Sequence, residues 1–205
     1  MYPDNIDHQG VYKNVSRETI EKLNVYVSLL RQWNAKINLI SRQDIDHIWD
    51  RHIIDSMQLV DFVESKVQRM ADLGSGGGFP GMVLSIVTGV PMIMVESDVR
   101  KAVFLREVAR QLDVNVTVFN QRIEQVEMPL VDMISVRALA SLDQLLFLCN
   151  GRLTDHGYCL FLKGRQVDVE IAQAQKEWQI EFQKIPSKTS SDGVILKVNQ
   201  FKRIV

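Results

Sequence analysis

Five glycines crowd one turn of this chain, and no other feature constrains its fold as tightly. The stretch Met70-Ala71-Asp72-Leu73 reads as the end of an apolar strand, Gly74-Ser75-Gly76-Gly77-Gly78-Phe79-Pro80-Gly81 as the turn, and Met82 to Thr88 as a helical run. Residues without side chains are needed where the backbone enters left-handed conformations or passes close to something else. In a strand-to-helix turn, what lies close is a nucleotide-like ligand seated over the start of the helix. Such a unit belongs to a parallel sheet covered by crossover helices.

The rest of the chain agrees. After Arg69, short apolar runs at Met70 to Leu73, Met92 to Glu96, Val114 to Phe119, Val131 to Val136 and Tyr158 to Leu162 alternate with helical stretches. These are Gly81 to Thr88, Arg100 to Leu112, Ser141 to Asn150 and Asp168 to Trp178. Near-continuous apolar strands alternating with helices predict an α/β, doubly wound, Rossmann-like sheet buried on both faces. The tail breaks the alternation, because Glu181 to Ile185 and Val194 to Phe201 are joined only by the polar loop 186–193. Strands so connected pair antiparallel, so the sheet is expected to end in a hairpin.

Ahead of the sheet, Ile20, Leu23, Val27, Leu30 and Ile37 recur at helical spacing behind a Ser16 cap. A second helical run is expected from Asp44 to Val63, with Arg51, His52, Asp55 and Ser56 beside its apolar stripe. The expected division is an N-terminal helical annex over residues 1–66, packed on a main domain over 67–205. A chain of 205 residues has room for one core with such an annex.

Composition excludes more than it selects. The chain is 46% hydrophobic and 24% charged, with a formal net charge of −1, which says nothing for or against nucleic acid. No apolar run reaches membrane-spanning length and the first residues are polar, so a cytoplasmic protein without membrane contact is expected. Cys149 and Cys159 lack the neighbours of a metal site or a redox pair, and no metal is expected.

Three nucleotide loops compete for the turn. A phosphate-binding loop would end in Gly-Lys-Ser/Thr, and no lysine follows until Lys101. A dinucleotide fingerprint is formally present as Gly76-x-Gly78-x-x-Gly81, with Glu96 at a suitable distance to hold a ribose. The better fit is Asp72-Leu73-Gly74-x-Gly76-x-Gly78, an acid inside the strand and the first glycine directly after it. That register opens class I S-adenosyl-L-methionine (AdoMet) methyltransferases. AdoMet offers a cationic sulfonium rather than a pyrophosphate, so a carboxylate near the turn suits it. The terminal hairpin points the same way; Glu96 does not discriminate, since both cofactors present a ribose diol.

The sequence then resembles one family specifically, the glucose-inhibited division protein B (GidB, or RsmG) type of 16S ribosomal RNA guanine-N7 methyltransferases. The resemblance rests on Asn38-Leu39-Ile40, Arg51-His52-Ile53-Ile54-Asp55-Ser56, the whole of Asp72 to Gly81, Glu96, Arg122-Ile123-Glu124, Arg137-Ala138 and Leu162-Lys163-Gly164. It implies AdoMet contacts at Gly74, Phe79, Ile123, Glu124 and Arg137, beside the turn residues Asp72, Gly76 and Gly78 and the ribose acid Glu96. It also implies a substrate, 16S rRNA or the small ribosomal subunit, and a monomer is expected. Where the family has Thr-Ser before Arg-Ala, this chain has Ser135-Val136, so a hydroxyl at position 136 is lost.

Residue chemistry supports a ring nitrogen as acceptor. Exocyclic-amine methyltransferases commonly carry Asn/Asp-Pro-Pro-aromatic after the fourth strand, whereas here the segment is Ser135-Val136-Arg137-Ala138. Guanine N7 keeps a free lone pair at neutral pH and needs no general base, so catalysis reduces to alignment and electrostatics. Arg137 is the expected positioning group. Arg51, His52, Asp55, Lys163 and Arg165 are candidate contacts to RNA, with Arg100, Lys101, Arg106 and Arg110 as a further basic helix. The residues alone leave open a methyltransferase for another RNA or a small molecule, and a non-catalytic ribosome-assembly protein with a vestigial pocket.

Overall fold

The computed structural model describes residues 15–204; residues 1–14 of the expected annex lie outside that range. Helix α1 (Arg17–Asn34) is capped by Ser16, whose hydroxyl accepts from the Thr19 N–H, and it buries Leu23, Tyr26, Val27, Leu29 and Leu30. The segment expected as one helix from Asp44 to Val63 is instead broken. It runs as a 3₁₀ turn (Arg42–His47), a π-helical turn (Trp49–Ile54), the short helix α2 (Asp55–Met57) and a second 3₁₀ turn (Val60–Phe62). The physical reason is the run His52-Ile53-Ile54, all three buried, which a 3.6-residue repeat with one inward stripe does not accommodate.

The sheet follows: β1 (Met70–Leu73), α3 (Gly81–Thr88), β2 (Met92–Val95), α4 (Val99–Leu112), β3 (Val116–Phe119), β4 (Val131–Arg137), α5 (Leu142–Cys149), β5 (Leu153–Lys163), α6 (Val167–Ala174), β6 (Trp178–Pro186) and β7 (Val194–Arg203). Trp178, expected at a helix end, instead opens β6. The seven strands stand in the order β3-β2-β1-β4-β5-β7-β6, parallel except for β7, which runs antiparallel to both β5 and β6. This is the doubly wound sheet with a terminal hairpin. Its direction of winding reverses between β1 and β4, and open α/β sheets bind ligands outside the carboxyl ends of strands at that point.

Alternate residues of each strand face opposite layers. Met70 and Met94 join one core layer with Tyr26, Leu30, Ile53, Met57 and Phe104; Ala71, Leu73, Ile93 and Val95 join the other with Leu145, Leu146 and Ile171. The apolar face of α1 therefore shares a core layer with α3, α4 and the sheet. Its Tyr26 and Trp33 rings lie 6.4 and 5.6 Å from that of Phe104. Both cysteines are free and buried. Among the described residues no helix is long and apolar enough to cross a membrane.

Candidate active site

The glycine turn is built by local geometry and then buttressed from α1. Gly74, Gly76 and Gly78 have φ of 70, 54 and 99°, and a Cβ at Gly78 would stand 2.6 Å from the Tyr26 hydroxyl. Tyr26, fully buried on α1, donates to the Gly77 carbonyl at 2.5 Å. Glu96, at the end of β2, lies across the turn: its two oxygens accept the N–H groups of Gly76 at 2.8 Å and Asp98 at 2.7 Å.

Above the carboxyl ends of β1, β2 and β4 opens a cavity of about 810 Å³, walled by Gly74 to Gly77, Phe79, Glu96, Ile123, Glu124 and the segment Arg137 to Ala140, with Phe147 and Trp178 on its far side. Ile123 and Glu124 sit in a 3₁₀ turn (Ile123–Gln125) held by Arg152, which donates to the Ile123 carbonyl at 2.7 Å and to that of Val126, just after the turn, at 2.9 Å.

Arg137, at the end of β4, is fixed by three groups from the segment ahead of the sheet. It donates to the Arg51 carbonyl at 3.1 Å, to Asp55 Oδ2 at 3.4 Å and to His52 Nδ1 at 2.6 Å. Its guanidinium lies 5.1 Å from the centre of the Phe79 ring, and the His52 ring stacks on the same ring at 4.8 Å. Ala138 beside it takes φ of 52°, a left-handed conformation unusual for a residue with a side chain, so the chain is re-aimed directly after Arg137.

The electrostatics follow from these contacts. Arginine only donates, so His52 Nδ1 must offer its lone pair and the ring is neutral with its hydrogen on Nε2. Burial, reinforced by the Arg137 charge, lowers the His52 pKa to about 4. Its buried Nε2 has no hydrogen-bond partner, with the Asp44 carboxylate 3.6 Å away. Asp72 is also enclosed. Burial raises its pKa to about 6, against the hydrogen bond that Ser135 Oγ donates to Oδ1 at 2.8 Å.

The family model for GidB, described as rRNA small subunit methyltransferase G, matches residues 19–194. The chain belongs to the GidB family. A ribosomal RNA small subunit methyltransferase G from Gluconobacter oxydans (strain 621H) is 49% identical over 93% of this chain and 98% of its own. Its counterpart from Paramagnetospirillum magneticum (strain AMB-1) is 45% identical over 92% of each. Among solved structures, a ribosomal protein L11 methylase from Lactobacillus delbrueckii subsp. bulgaricus superposes with a TM-score of 0.60 at 17% identity, covering 73% of this chain and 78% of the other. M. jannaschii TYW2 in complex with AdoMet gives 0.57 at 16%, covering 83% and 80%. At these identities the structures speak for the fold, which is that of class I methyltransferases.

Within this GidB-family chain, the residues expected at the cofactor separate into two groups. Gly74, Gly76, Phe79, Glu96, Ile123, Glu124 and Arg137 line the large cavity together. Asp72 and Gly78 do not. Asp72 is 1% exposed and lies beneath the turn, with its Cβ where a Cβ on Gly81 would come within 2.5 Å, so it shapes the turn instead of facing a ligand. Gly78 turns towards Tyr26.

The expected RNA contacts also divide. His52 and Asp55 hold Arg137, and Lys163 is enclosed, its ammonium bonded to Glu170 at 2.6 Å and the Ala140 carbonyl at 2.8 Å. None of these three offers a free charge to a phosphate. Arg51 and Arg165 do reach solvent, with side chains 68% and 81% exposed. On α4, Arg100 and Arg110 pair with Asp98 and Glu107, and Arg106 donates to the Val118 carbonyl, so that helix shows no free basic face beyond Lys101 at the cavity rim.

Sequence reasoning missed Tyr26, Ser135, Gln58 and Arg152. Ser135 carried a usable signal: a serine inside an apolar strand needs a partner, and Asp72 sits opposite it in the β1–β4 register.

Proposed function

We propose that this chain transfers the methyl group of AdoMet to N7 of a guanine in 16S ribosomal RNA, acting as a cytoplasmic monomer on the RNA or the small subunit. The observation that carries the choice of acceptor is the state of the groups around Arg137. The lone pair of His52 already accepts from Arg137, and the Asp55 carboxylate accepts from Arg137, Gln58 and Thr189. Neither is placed to take a proton from a substrate. A nucleophile that attacks with its own lone pair, as N7 does, needs no base from these two groups, whereas an amine or hydroxyl that must be deprotonated would find none in them.

The cavity suits AdoMet on its own geometry. It is large enough for the cofactor, and a Cβ added at Gly74 would come within 2.7 Å of Leu139 on its wall. When bound, AdoMet supplies an electrophilic methyl group on a sulfonium, whose positive charge passes to the base with the methyl. Glu96, each oxygen of which keeps a further acceptor site, would hold the ribose hydroxyls. Ile123 would pack on the adenine with Glu124 at its polar edge, and Phe79 would wall the side below Arg137. Arg137 fixes the reacting end with its planar fork, and no residue there needs to change protonation.

Two measurements test the reading. Ribosomal RNA from cells lacking the protein is mapped for N7-methylguanosine, and loss of one mark in the small subunit is expected; persistence of every mark would make the substrate wrong. Saturable AdoMet binding, abolished by Gly74→Asp, is expected of the purified chain, and a preference for NAD would remove the cofactor assignment.

A further inference from the structure

A second hollow lies on the other side of Arg137. It measures about 370 Å³ and is lined by Arg137, Asp55, Gly164, Arg165, Ser190 and Asp192, among others. Arg137 is a wall of both hollows, so whatever occupies the second meets the reacting end of the first across that side chain. The second hollow is walled on one side by the loop between β6 and β7, and that loop is firmly held. Gln58, fully buried on the annex, accepts from the Lys188 N–H at 2.9 Å and the Ser187 hydroxyl at 3.2 Å. Its amide nitrogen donates to Asp55 at 3.0 Å to the carbonyl and 2.9 Å to Oδ1. Thr189 donates to the same Oδ1 at 2.6 Å. Loop, annex and Arg137 therefore form one hydrogen-bonded frame around the space.

Resting on the function proposed above, we infer that this hollow seats the target guanine and that the Asp192 carboxylate reads the donor edge of the base. The shape of guanine fixes how it would lie. N7 and O6 lie on one side of guanine, and the N1–H and N2–H₂ donors lie on its Watson–Crick edge, turned away from N7. With N7 directed past Arg137 towards the cofactor cavity, the donor edge is carried to the outer part of the second hollow. Asp192 stands among the residues of that hollow. Its ion pair with Arg165 is 3.9 Å long and both side chains are exposed, 61% and 81%, so its oxygens are not committed to a close donor. A carboxylate accepts from both N1–H and N2–H₂. Adenine presents an unprotonated N1 at the same place and is repelled, so the group discriminates as well as binds.

The test uses the full-length chain in methyl transfer to unmodified small-subunit RNA at saturating AdoMet, comparing wild type, Asp192→Asn and Asp192→Glu. Each variant is also titrated with AdoMet. Asp192→Asn is expected to lower kcat/KM for RNA by about tenfold or more, the loss typical of a charged hydrogen bond, while Asp192→Glu restores part of it. The affinity for AdoMet stays unchanged in both, which a general loss of structure would not allow. GMP is expected to inhibit the wild type by about tenfold more than AMP does, and Asp192→Asn to erase that preference. Wild-type kcat/KM in Asp192→Asn, or equal inhibition by GMP and AMP in the wild type, would overturn the base seat alone. Failure of the wild-type chain to methylate small-subunit RNA, both free and within the assembled subunit, would overturn both this inference and the function on which it rests.

Discussion

The two halves of the site are made in different ways. The half proposed for the cofactor is mostly backbone: a turn held in left-handed conformations, a carboxylate engaged with two amide N–H groups, and a 3₁₀ turn, all from segments that follow one another along β1, β2 and β3. The Arg137 half is mostly side chain, and its parts come from residues 51–58, 137 and 187–192, which only the folded chain brings together. A backbone site tolerates little change in volume but much change in surrounding polarity. A side-chain frame tolerates small changes in volume but fails when one donor or acceptor is lost. The two halves should therefore break differently.

The largest effect is expected from volume on the cofactor side. In Gly81→Val, the new Cβ would stand 2.5 Å from that of Asp72, with buried β1 beneath it, so the turn must shift. A loss of about 3 kcal/mol in denaturant unfolding, with AdoMet binding gone, is expected for such overpacking. Retention of wild-type stability would mean that the turn is softer than its burial implies. Next in size is polarity on the other side. Arg137→Lys keeps the charge and much of the volume but loses the fork shared among Arg51, His52 and Asp55. Single-turnover methyl transfer is expected to fall about a hundredfold, with AdoMet affinity changed by less than about threefold. Wild-type turnover would remove Arg137 from the reacting end.

The halves also differ in the sign of their response to pH. His52 has its pKa lowered to about 4 in the folded chain, so the unfolded chain binds the extra proton first and stability is lost as pH falls from about 6.5 to about 4. Asp72 has its pKa raised to about 6, so the unfolded chain ionises first and stability is lost as pH rises from about 4 to about 6. Over that shared window each group contributes about 2 kcal/mol, in opposite directions. Relative to wild type, Asp72→Asn is expected to gain stability and His52→Gln to lose it as the pH is raised across the window. Parallel curves for the two variants in chemical denaturation would show that one of these groups is not buried as described.

The same contrast explains which features were legible in the sequence. The glycine turn, the alternation of strands and helices, and the closing hairpin are short-range patterns, and each appears in the fold. Asp72 shows the limit: its position in the strand was legible, its direction was not, because turning towards Ser135 depends on β1 and β4 pairing 63 residues apart. His52 and Asp55 stood out as polar residues beside an apolar stripe. Their partner Arg137 lies 85 and 82 residues away, so RNA was the nearest explanation that the local sequence offered. The π-helical turn that aims them leaves no mark in a 3.6-residue pattern beyond three consecutive inward residues.

The smallest expected effect separates the two halves most cleanly. Thr189 lies on the β6–β7 loop, and its hydroxyl donates to Asp55 Oδ1 at 2.6 Å, while Arg137 reaches Oδ2 of the same carboxylate. Thr189→Val preserves shape and removes that donor, together with the hydroxyl's bonds to Gln58 Nε2 at 3.3 Å and Ser187 Oγ at 3.0 Å, which weakens the hold on one side of Asp55 by about 1 kcal/mol. If the frame aims Arg137, methyl transfer should fall by about three- to tenfold at saturating AdoMet, with stability lower by no more than about 1 kcal/mol and AdoMet affinity nearly unchanged, since no cavity opens and no wall of the large cavity moves. Thr189→Ser, which keeps the donor, should restore the rate. A Thr189→Val chain with wild-type turnover would confine the frame to holding the loop and leave Arg137 aligned by Arg51, His52 and Phe79 alone.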